Sequence, residues 1–399
     1  MVLTEKKICT NWSGDIRFSP AKIVVPENEE QLRQVVQEAI ANKLTIRTIG
    51  ARHSCSPIFE TDQILVSMEN FKGLYEYDAE QRTAVIGAGT TVEEAGEELF
   101  RVGLALENTG HINKQALAGA ISTGTHGAGK ELKNLSGQVT GIRLINGSGD
   151  IKEFDEEHNG ELMQALKVSL GSLGIFTRLK LRVLPRFTLH RRQYCAHTDD
   201  CLANLKQLME ENRNFCFYWY PRRDDVSIKL WNAPGEGTAE LPYATLYKEY
   251  SGWSKDVLPT TQRLKFNELE YSFDHETAPH CFQEIRQRIK AKHRKHLAWR
   301  VLYRPVAADT VFLSNAYNRN IVAITIHQHA SLPYEDYFND IEKIFQSYGG
   351  RPHWGKKHSL KAPQLQQLYP EWNRFQQIRK RFDPNGIFLN DYLKNVFIG

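Results

Sequence analysis

The pattern of apolar and polar residues in the first quarter of the chain predicts strands and helices in alternation. Apolar residues recur at helical spacing in 26–40 and in 91–101, and the second helix begins with a Thr-x-x-Glu capping sequence. Runs rich in apolar and β-branched residues at 44–49, 64–68 and 83–89 predict buried strands. This order is typical of a mixed α and β domain whose loops carry the chemistry.

The loop after the strand at 44–49 is suited to an anion. Gly50 ends the strand, and Ala51, Arg52, His53 and Ser54 follow it. Small residues leave successive backbone N–H groups open to a phosphate, and Arg52 adds a fixed positive charge. The loop therefore predicts a phosphate or pyrophosphate site, with His53 beside the bound ligand as a potential nucleophile. An ordinary loop histidine is an equal alternative on this stretch alone.

A second glycine-rich stretch, residues 110–129, holds five glycines among alanine, serine and threonine. Small residues are needed where the backbone approaches a large flat ligand, and hydroxyl groups supply hydrogen bonds. The alternative is a flexible linker, but linkers lack the apolar Ala-Leu-Ala-Gly-Ala-Ile run found here. The stretch therefore favours a cofactor site. The dinucleotide fingerprint that follows an N-terminal strand in Rossmann dehydrogenases is absent.

From residue 188 to about 345 tyrosine and tryptophan become common, and they are expected mostly in the core. Antiparallel strands are predicted at 215–220, 226–230, 298–304 and 321–329, and helices near 199–211, 280–293 and 335–347. Period-two alternation places Arg300, Leu302 and Arg304 on one face of their strand and Thr325, His327 and His329 on one face of the next. These faces either meet over a ligand or are solvated.

Composition narrows the classes of protein that remain. The net charge of +4 is mild and no basic block is dense, which argues against nucleic acid as a partner. The six cysteines lack paired metal-ligand spacing, so no metal site is expected and reduced cytosolic thiols are favoured. The N-terminus has no signal-peptide core and no run reaches membrane-spanning length, so a soluble, cytoplasmic protein is expected.

Three motifs together resemble FAD-dependent oxidoreductases of the vanillyl-alcohol oxidase type, closest to the sugar-lactone and alditol oxidases. They are the loop at 50–54, the sequence Ala-Gly-Ala-Ile-Ser-Thr-Gly-Thr-His-Gly at 118–127 and Gly-Gly-Arg-Pro-His-Trp-Gly-Lys at 349–356. The resemblance implies an α+β, two-domain flavoprotein, with a PCMH-type FAD-binding domain of two α/β subdomains and a cap domain of antiparallel sheet and helices. The expected division is 1–186 for the FAD-binding domain, 187–345 for the cap, and 346–399 for a segment that returns to the FAD-binding domain.

The resemblance also implies the cofactor, FAD, bound covalently through the His53 ring. A Gly-x-x-Gly-Ile loop at 171–175 resembles the one that contacts the adenosine half of FAD. The cofactor-binding residues implied in this way are Gly50, Ala51, Arg52, His53, Ser54, Gly110, Gly119, Ser122, Thr123, Thr125, His126, Gly127, Gly174, Ile175 and Lys356.

The substrate site departs from the pattern of the relatives, which carry Glu-x-Arg on the strand at 298–304. Arg304 matches the arginine, but Leu302 stands at the glutamate position and cannot accept a proton. Alditol oxidases also place histidine before threonine on the next strand, whereas Thr325 precedes His327 here. The expected catalytic residues are His327 as the base, Arg304 and Lys356. The expected substrate-binding residues are Arg304, Thr325, His327, His329 and Trp354.

The resemblance implies oxidation of a CH–OH group in a sugar lactone or related polyol, with hydride transfer to flavin N5. A small residue at the Gly110 position leans toward an oxidase, with dioxygen as the acceptor and hydrogen peroxide as the product. Two alternatives stay open. One is a dehydrogenase of a less polar or specialised alcohol with another electron acceptor, and the other is a flavin-binding protein that has lost catalysis. The sequence assigns no oligomeric state.

Overall fold

The computed structural model describes residues 2–4, 8–238, 240–259, 261 and 264–399. The N-terminal stretch, which is predicted to contain no signal-peptide core, therefore lies partly outside the described residues. The N-terminal half contains the following elements in chain order: β1 (Val2–Thr4), β2 (Cys9–Thr10), β3 (Arg17–Phe18), β4 (Lys22–Val25), α1 (Glu29–Asn42), β5 (Ile46–Ile49), β6 (Ile64–Ser67), β7 (Leu74–Asp78), β8 (Thr83–Gly87), α2 (Val92–Arg101), β9 (Leu104–Ala105), α3 (Leu117–Ser122), a 3₁₀ turn (Leu135–Gln138), β10 (Val139–Ile145), β11 (Ile151–Asp155), α4 (Glu156–Leu166), β12 (Ile175–Arg182) and β13 (Leu184–Pro185).

The first sheet has the strand order β1-β4-β6-β5, and β6 pairs in parallel with both of its neighbours. Helix α1 packs against this sheet through Leu32, Val35 and Val36, which are fully buried. Its N-terminus is capped by Asn28, whose side chain accepts a hydrogen bond from the Gln31 N–H. The predicted strand–helix–strand unit therefore forms, and it delivers the chain to the loop that begins at Gly50.

The second sheet is antiparallel, with the order β11-β10-β12-β8-β7. Helix α2 begins with the predicted capping box, in which the Thr91 and Glu94 side chains each accept the other's backbone N–H. Strand β12 ends at Arg182, and Pro185 lies in β13, which pairs with β9 because proline still offers its carbonyl group to a neighbour.

The middle of the chain builds an eight-stranded antiparallel sheet with the order β17-β14-β16-β15-β19-β20-β18-β21. Its elements are β14 (Thr188–His197), α5 (Thr198–Ala203), α6 (Leu205–Glu210), β15 (Asn214–Tyr220), β16 (Asp225–Asn232), β17 (Ala244–Trp253), α7 (Ser254–Val257), β18 (Phe266–Asp274), α8 (Ala278–Arg288), a π turn (Ile289–His293), β19 (Val301–Val306), β20 (Ile321–His329) and α9 (Glu335–Ser347). The sheet and its helices match the predicted antiparallel architecture, except that the helix near 199–211 is divided at Asn204.

The C-terminal segment first adds β21 (Arg351–Pro352) to the edge of this sheet and then continues as α10 (Ala362–Leu368), α11 (Trp372–Phe382) and α12 (Asp391–Phe397). It then contacts the first sheet, where the Ile46 N–H donates to the Ile387 carbonyl at 2.7 Å. The segment thus contacts both the eight-stranded sheet and the first sheet. Among the described residues no helix has the length and apolarity needed to cross a membrane.

Candidate active site

A cleft of about 830 Å³ opens between the loop after β5, the start of α3 and the loop before β12. Most of the side chains and glycines predicted to contact the cofactor line this cleft. They are Gly50, Ala51, Arg52, His53, Ser54, Gly119, Ser122, Thr123, Gly174 and Ile175. Two sequence stretches about seventy residues apart, together with the 171–175 loop, thus form one site.

Arg47 lines the cleft and binds the segments around it, although the sequence patterns did not indicate a role for this residue. Its buried guanidinium donates to the carbonyl groups of Ile58 at 2.7 Å, Leu170 at 2.9 Å, Gly171 at 3.2 Å and Phe388 at 2.5 Å. Burial lowers the pKa of Arg47 to about 10, so the side chain stays charged at neutral pH. One residue thereby joins the first sheet, the 171–175 loop and the C-terminal segment.

His53 lies in the cleft with Nδ1 buried and without a hydrogen-bond partner among the described residues. Its ring packs against Trp12 with the centroids 5.3 Å apart. Burial, together with the charge of Lys356, lowers the pKa of His53 to about 4, so the imidazole is neutral near pH 7. An orphaned buried nitrogen of this kind is the arrangement expected for a ring that bonds a ligand.

The glycines of the two motifs divide into two kinds. A Cβ at Gly119 would meet nothing within 4 Å, because this residue faces the open cleft. A Cβ at Gly50 would come within 2.5 Å of Ala116, and at Gly127 within 2.6 Å of Asn108. Gly50 is therefore required for close approach of the loop to α3. Gly127 packs against Asn108 and is not among the residues that line the cleft, so its contact with the cofactor stays a prediction.

A second cavity, of about 880 Å³, lies between residues 110–126 and one face of the eight-stranded sheet. It adjoins the cofactor cleft at Gln115, which lines both. The predicted residues that line this second cavity are Gly110, Thr125, His126, Arg304, His327 and Lys356. The structure therefore brings the three expected catalytic side chains together, next to the cleft that holds His53.

A buried carboxylate, Glu270 on β18, organises the wall of this cavity. Arg304 Nη2 donates to Glu270 Oε2 at 2.8 Å, Thr325 Oγ1 donates to the same oxygen at 2.6 Å, and His126 Nε2 lies 2.9 Å from Oε1. Burial alone would raise the pKa of Glu270, but the charge of Arg304 and these hydrogen bonds hold that pKa well below its ordinary value. Glu270 therefore fixes Arg304 in place as a charged pair.

A second carboxylate, Glu268, lies two residues earlier on β18 and contacts both remaining catalytic candidates. Its Oε1 lies 3.2 Å from His327 Nε2, and its Oε2 pairs with the Lys356 ammonium group. His327 Nδ1 lies 2.9 Å from the Arg300 carbonyl, a contact that requires the proton on Nδ1 and leaves Nε2 as the basic nitrogen. Burial and the charge of Arg300 lower the pKa of His327 to about 3, so the ring is neutral at physiological pH.

Comparison with known proteins fits this geometry. The sequence profile of D-arabinono-1,4-lactone oxidase matches residues 179–249 and 235–396, and an FAD binding domain profile matches residues 20–155. The chain belongs to the D-arabinono-1,4-lactone oxidase family. The predicted resemblance is thereby confirmed, and the protein is an FAD-dependent oxidoreductase that acts on CH–OH donors.

Relatives of this family align with nearly the whole chain. An L-gulono-1,4-lactone dehydrogenase from Mycobacterium tuberculosis is 28% identical over 98% of this chain and 99% of its own length. An L-gulonolactone oxidase from Scyliorhinus torazame is 27% identical over 97% of each chain. The crystal structure of cholesterol oxidase from B. sterolicum superposes with a TM-score of 0.87 at 16% identity, covering 99% of this chain and 97% of that one. This last likeness confirms the predicted fold.

Three residues predicted to bind substrate in this lactone oxidase family member lie elsewhere. Trp354 is fully buried, donates from Nε1 to the Leu313 carbonyl at 2.7 Å and stacks on Tyr369. His329 bonds Ser331 at the partly exposed end of β20. Thr325 is buried behind the cavity wall, where its hydroxyl group binds Glu270. Of the predicted set, Arg304 and His327 line the cavity.

The structure shows which residues supply carboxylates near the cavity, although position 302 is a leucine and not the glutamate of the relatives. Leu302 lies on the cavity face of β19, paired with Tyr218 on one side and Thr325 on the other. The carboxylates come instead from β18, where Glu268 pairs with His327 and Glu270 pairs with Thr325. Two glutamates two apart, in a strand that also carries Phe266, Leu269, Tyr271 and Phe273, are the sequence signal that would have found them.

Proposed function

We propose that the protein oxidises a secondary or primary CH–OH group of an aldonolactone or related polyol, with FAD as hydride acceptor and dioxygen as the final acceptor. The observation that carries this proposal is the cavity beside the cofactor cleft, where a neutral histidine, the Glu268 carboxylate and an arginine fixed by the buried Glu270 surround one space. The net reaction converts the alcohol and dioxygen to a carbonyl product and hydrogen peroxide.

His327 is the proposed base for the hydroxyl proton. Its Nδ1 is held by the Arg300 carbonyl, so Nε2 carries the lone pair that accepts the proton. Glu268 Oε1 lies 3.2 Å from the same Nε2, so this carboxylate can accept a hydrogen bond from the N–H that forms and stabilise the imidazolium. Arg304, fixed by Glu270, is in place to bind the substrate oxygen and favour its deprotonated form.

The residues of the first cleft fit FAD, since Gly119 leaves open space, Arg52 supplies positive charge and His53 offers an unpartnered nitrogen. Bound FAD would supply a two-electron acceptor for the hydride that leaves the carbinol carbon. Lys356 lines the second cavity, close enough to His53 to lower its pKa and in contact with Glu268. Its charge is suited to stabilise negative charge on the reduced cofactor.

The experiment that tests this function is anaerobic mixing of the yellow holoenzyme with a panel of aldonolactones and polyols. We expect at least one member to bleach the visible flavin absorbance. If no member of a broad panel bleaches the flavin, the proposal is wrong and the alternative of a flavin-binding protein without catalysis gains support.

We further propose a covalent bond between FAD and the His53 ring. The neutral, buried imidazole with an unpartnered Nδ1 supports it. Replacing His53 by alanine should therefore release the yellow cofactor into the supernatant on acid precipitation, whereas the wild-type pellet stays yellow. A wild-type pellet that loses its colour would contradict the bond. His158, an exposed histidine far from the cleft, provides the control substitution.

The electron acceptor is tested by the rate at which the reduced enzyme reoxidises. A Cβ at Gly110 would come within 2.8 Å of Thr125, so this glycine packs closely against Thr125 in the wall of the cavity. An oxidase should recover its flavin absorbance within the turnover time when the reduced enzyme is mixed with air-saturated buffer in a stopped-flow instrument. Slow recovery in air with fast recovery by a quinone dye would favour the dehydrogenase alternative, which agrees with the name of the mycobacterial relative.

A further inference from the structure

The substrate cavity has a second, cationic end that the proposed chemistry does not use. Arg191 on β14, Lys229 on β16 and Arg300 just before β19 all line it. Strand register places them on the same face as the catalytic residues, because Arg191 lies opposite Trp231 and Tyr218 lies opposite Leu302. One end of this sheet face therefore carries the carboxylates of β18, and the other end carries the three cations of β14, β16 and the residue before β19.

These cations are gathered around aromatic rings. The Lys229 ammonium group lies 4.3 Å from the centre of the Tyr218 ring, and the Arg300 guanidinium lies 3.9 Å from the same centre. Arg191 packs over Trp231 at 4.8 Å. Lys229 and Arg300 therefore both lie against the Tyr218 ring, and both line the same cavity.

The cluster has no carboxylate partner. Within the described part of the chain, no Asp or Glu oxygen lies within 4 Å of the charged groups of Arg191, Lys229 or Arg300. Arg191 is buried, its Nη1 donates to the Tyr250 hydroxyl at 2.6 Å, and its Nε has no partner. The Arg300 Nε is likewise buried and unpartnered. Buried donors of this kind normally have a hydrogen-bond partner, so these two unpartnered N–H groups point to a ligand.

Electrostatics agree with the geometry. Burial, with the charges of Arg191 and Arg300, lowers the pKa of Lys229 to about 7, although the Cys216 thiol opposes the shift. Like charges in a shared cavity destabilise one another unless an anion lies between them. In the free enzyme these positive charges repel one another, and a bound oxyanion would reduce that repulsion.

We propose that the substrate carries an oxyanion, a carboxylate or a phosphate monoester, at the end remote from the oxidised carbon, and that Arg191, Lys229 and Arg300 bind it. This inference rests on the proposed function, because Arg304 and His327 define the reacting end of the same cavity. Four residues of extended chain separate Arg300 from Arg304, about 13 Å. A sugar derivative of five or six carbons with a terminal oxyanion spans this distance when the reach of both side chains is included.

The test compares three matched compounds: a neutral hexitol, the aldonate of the same sugar and its terminal phosphate monoester. We expect an anionic member to reduce the flavin with a kcat/KM about 10- to 100-fold above that of the neutral one, as charge-assisted hydrogen bonds allow. Arg300→Met and Lys229→Met should each remove this advantage, and Lys229→Met should leave the rate with the neutral hexitol within about twofold of wild type. The preferred anion identifies which of the two groups the site takes.

Binding without turnover provides an independent readout. Calorimetry of the holoenzyme with inorganic phosphate at constant ionic strength should show binding that Arg300→Met and Lys229→Met weaken at least tenfold. The control is Lys180→Met, which removes an exposed lysine on β12, in the second sheet and outside the cavity, and this variant should bind phosphate as wild type does. Equal rates for neutral and anionic compounds, with no effect of the two substitutions, would overturn this inference and leave the proposed function intact. Phosphate binding without flavin reduction by any compound would instead overturn the proposed function and, with it, the role of this cluster in substrate binding.

Discussion

His327→Ala is expected to slow the reduction of the flavin by substrate about 10²- to 10⁴-fold, the range for removal of a general base. The physical reason is that Nε2 is the basic nitrogen, held in place by the Arg300 carbonyl and stabilised after proton uptake by Glu268. The apparent dissociation constant of the substrate should change far less. Anaerobic stopped-flow reduction at several substrate concentrations separates the two quantities.

His329→Ala is the matched control, since it removes a histidine two residues away on the same strand that lies outside the cavity. Its reduction rate should stay within about twofold of wild type. Because the pKa of His327 is lowered to about 3, the base is already deprotonated at neutral pH. The limiting reduction rate should therefore show no acid limb from this residue between about pH 5 and 8. An unchanged rate in His327→Ala would rule out this histidine as the base.

The sequence predicted the elements that local pattern determines. Strand β20 and helix α9 have the predicted bounds, because each is a long, strongly periodic segment. The loop at 50–54 and the residues of α3 were found through their small residues, which a backbone that approaches a ligand requires. Local signals of this kind do not depend on which distant segment lies alongside.

The residues that the sequence missed are those whose role depends on a distant partner. Arg47 looks like a solvated residue on a strand, but three of the carbonyl groups that bind its buried guanidinium lie more than a hundred residues away. Glu268 and Glu270 became part of the site because β18 pairs with β20, about fifty residues later, in an order that no local pattern fixes. Trp354 was assigned to the cavity through its motif, but that motif turns its indole inward, against Tyr369.

Glu270→Gln is expected to have the largest effect on stability, about 3–5 kcal/mol, the range for breaking a buried ion pair. The substitution removes the negative charge that compensates Arg304 and leaves a fully buried cluster with the Arg304 charge unpaired. The same variant should also lose most of its activity, because Arg304 is no longer held at the reacting end of the cavity. Urea unfolding followed by tryptophan fluorescence, together with flavin reduction, measures both effects.

The matched control is Glu342→Gln, which alters another buried carboxylate near the same sheet. Glu342 accepts hydrogen bonds from the Tyr271 hydroxyl and the Ser359 N–H but pairs with no cation among the residues that the structure describes, so its substitution should cost only about 1 kcal/mol. The cost of Glu270→Gln should also depend on pH in a defined direction. Because the folded-state pKa of Glu270 lies well below 4.5, its contribution is complete above that value and is lost as pH falls toward the folded-state pKa. Equal losses of stability for the two variants at pH 7 would show that Glu270 does not hold Arg304 as an ion pair.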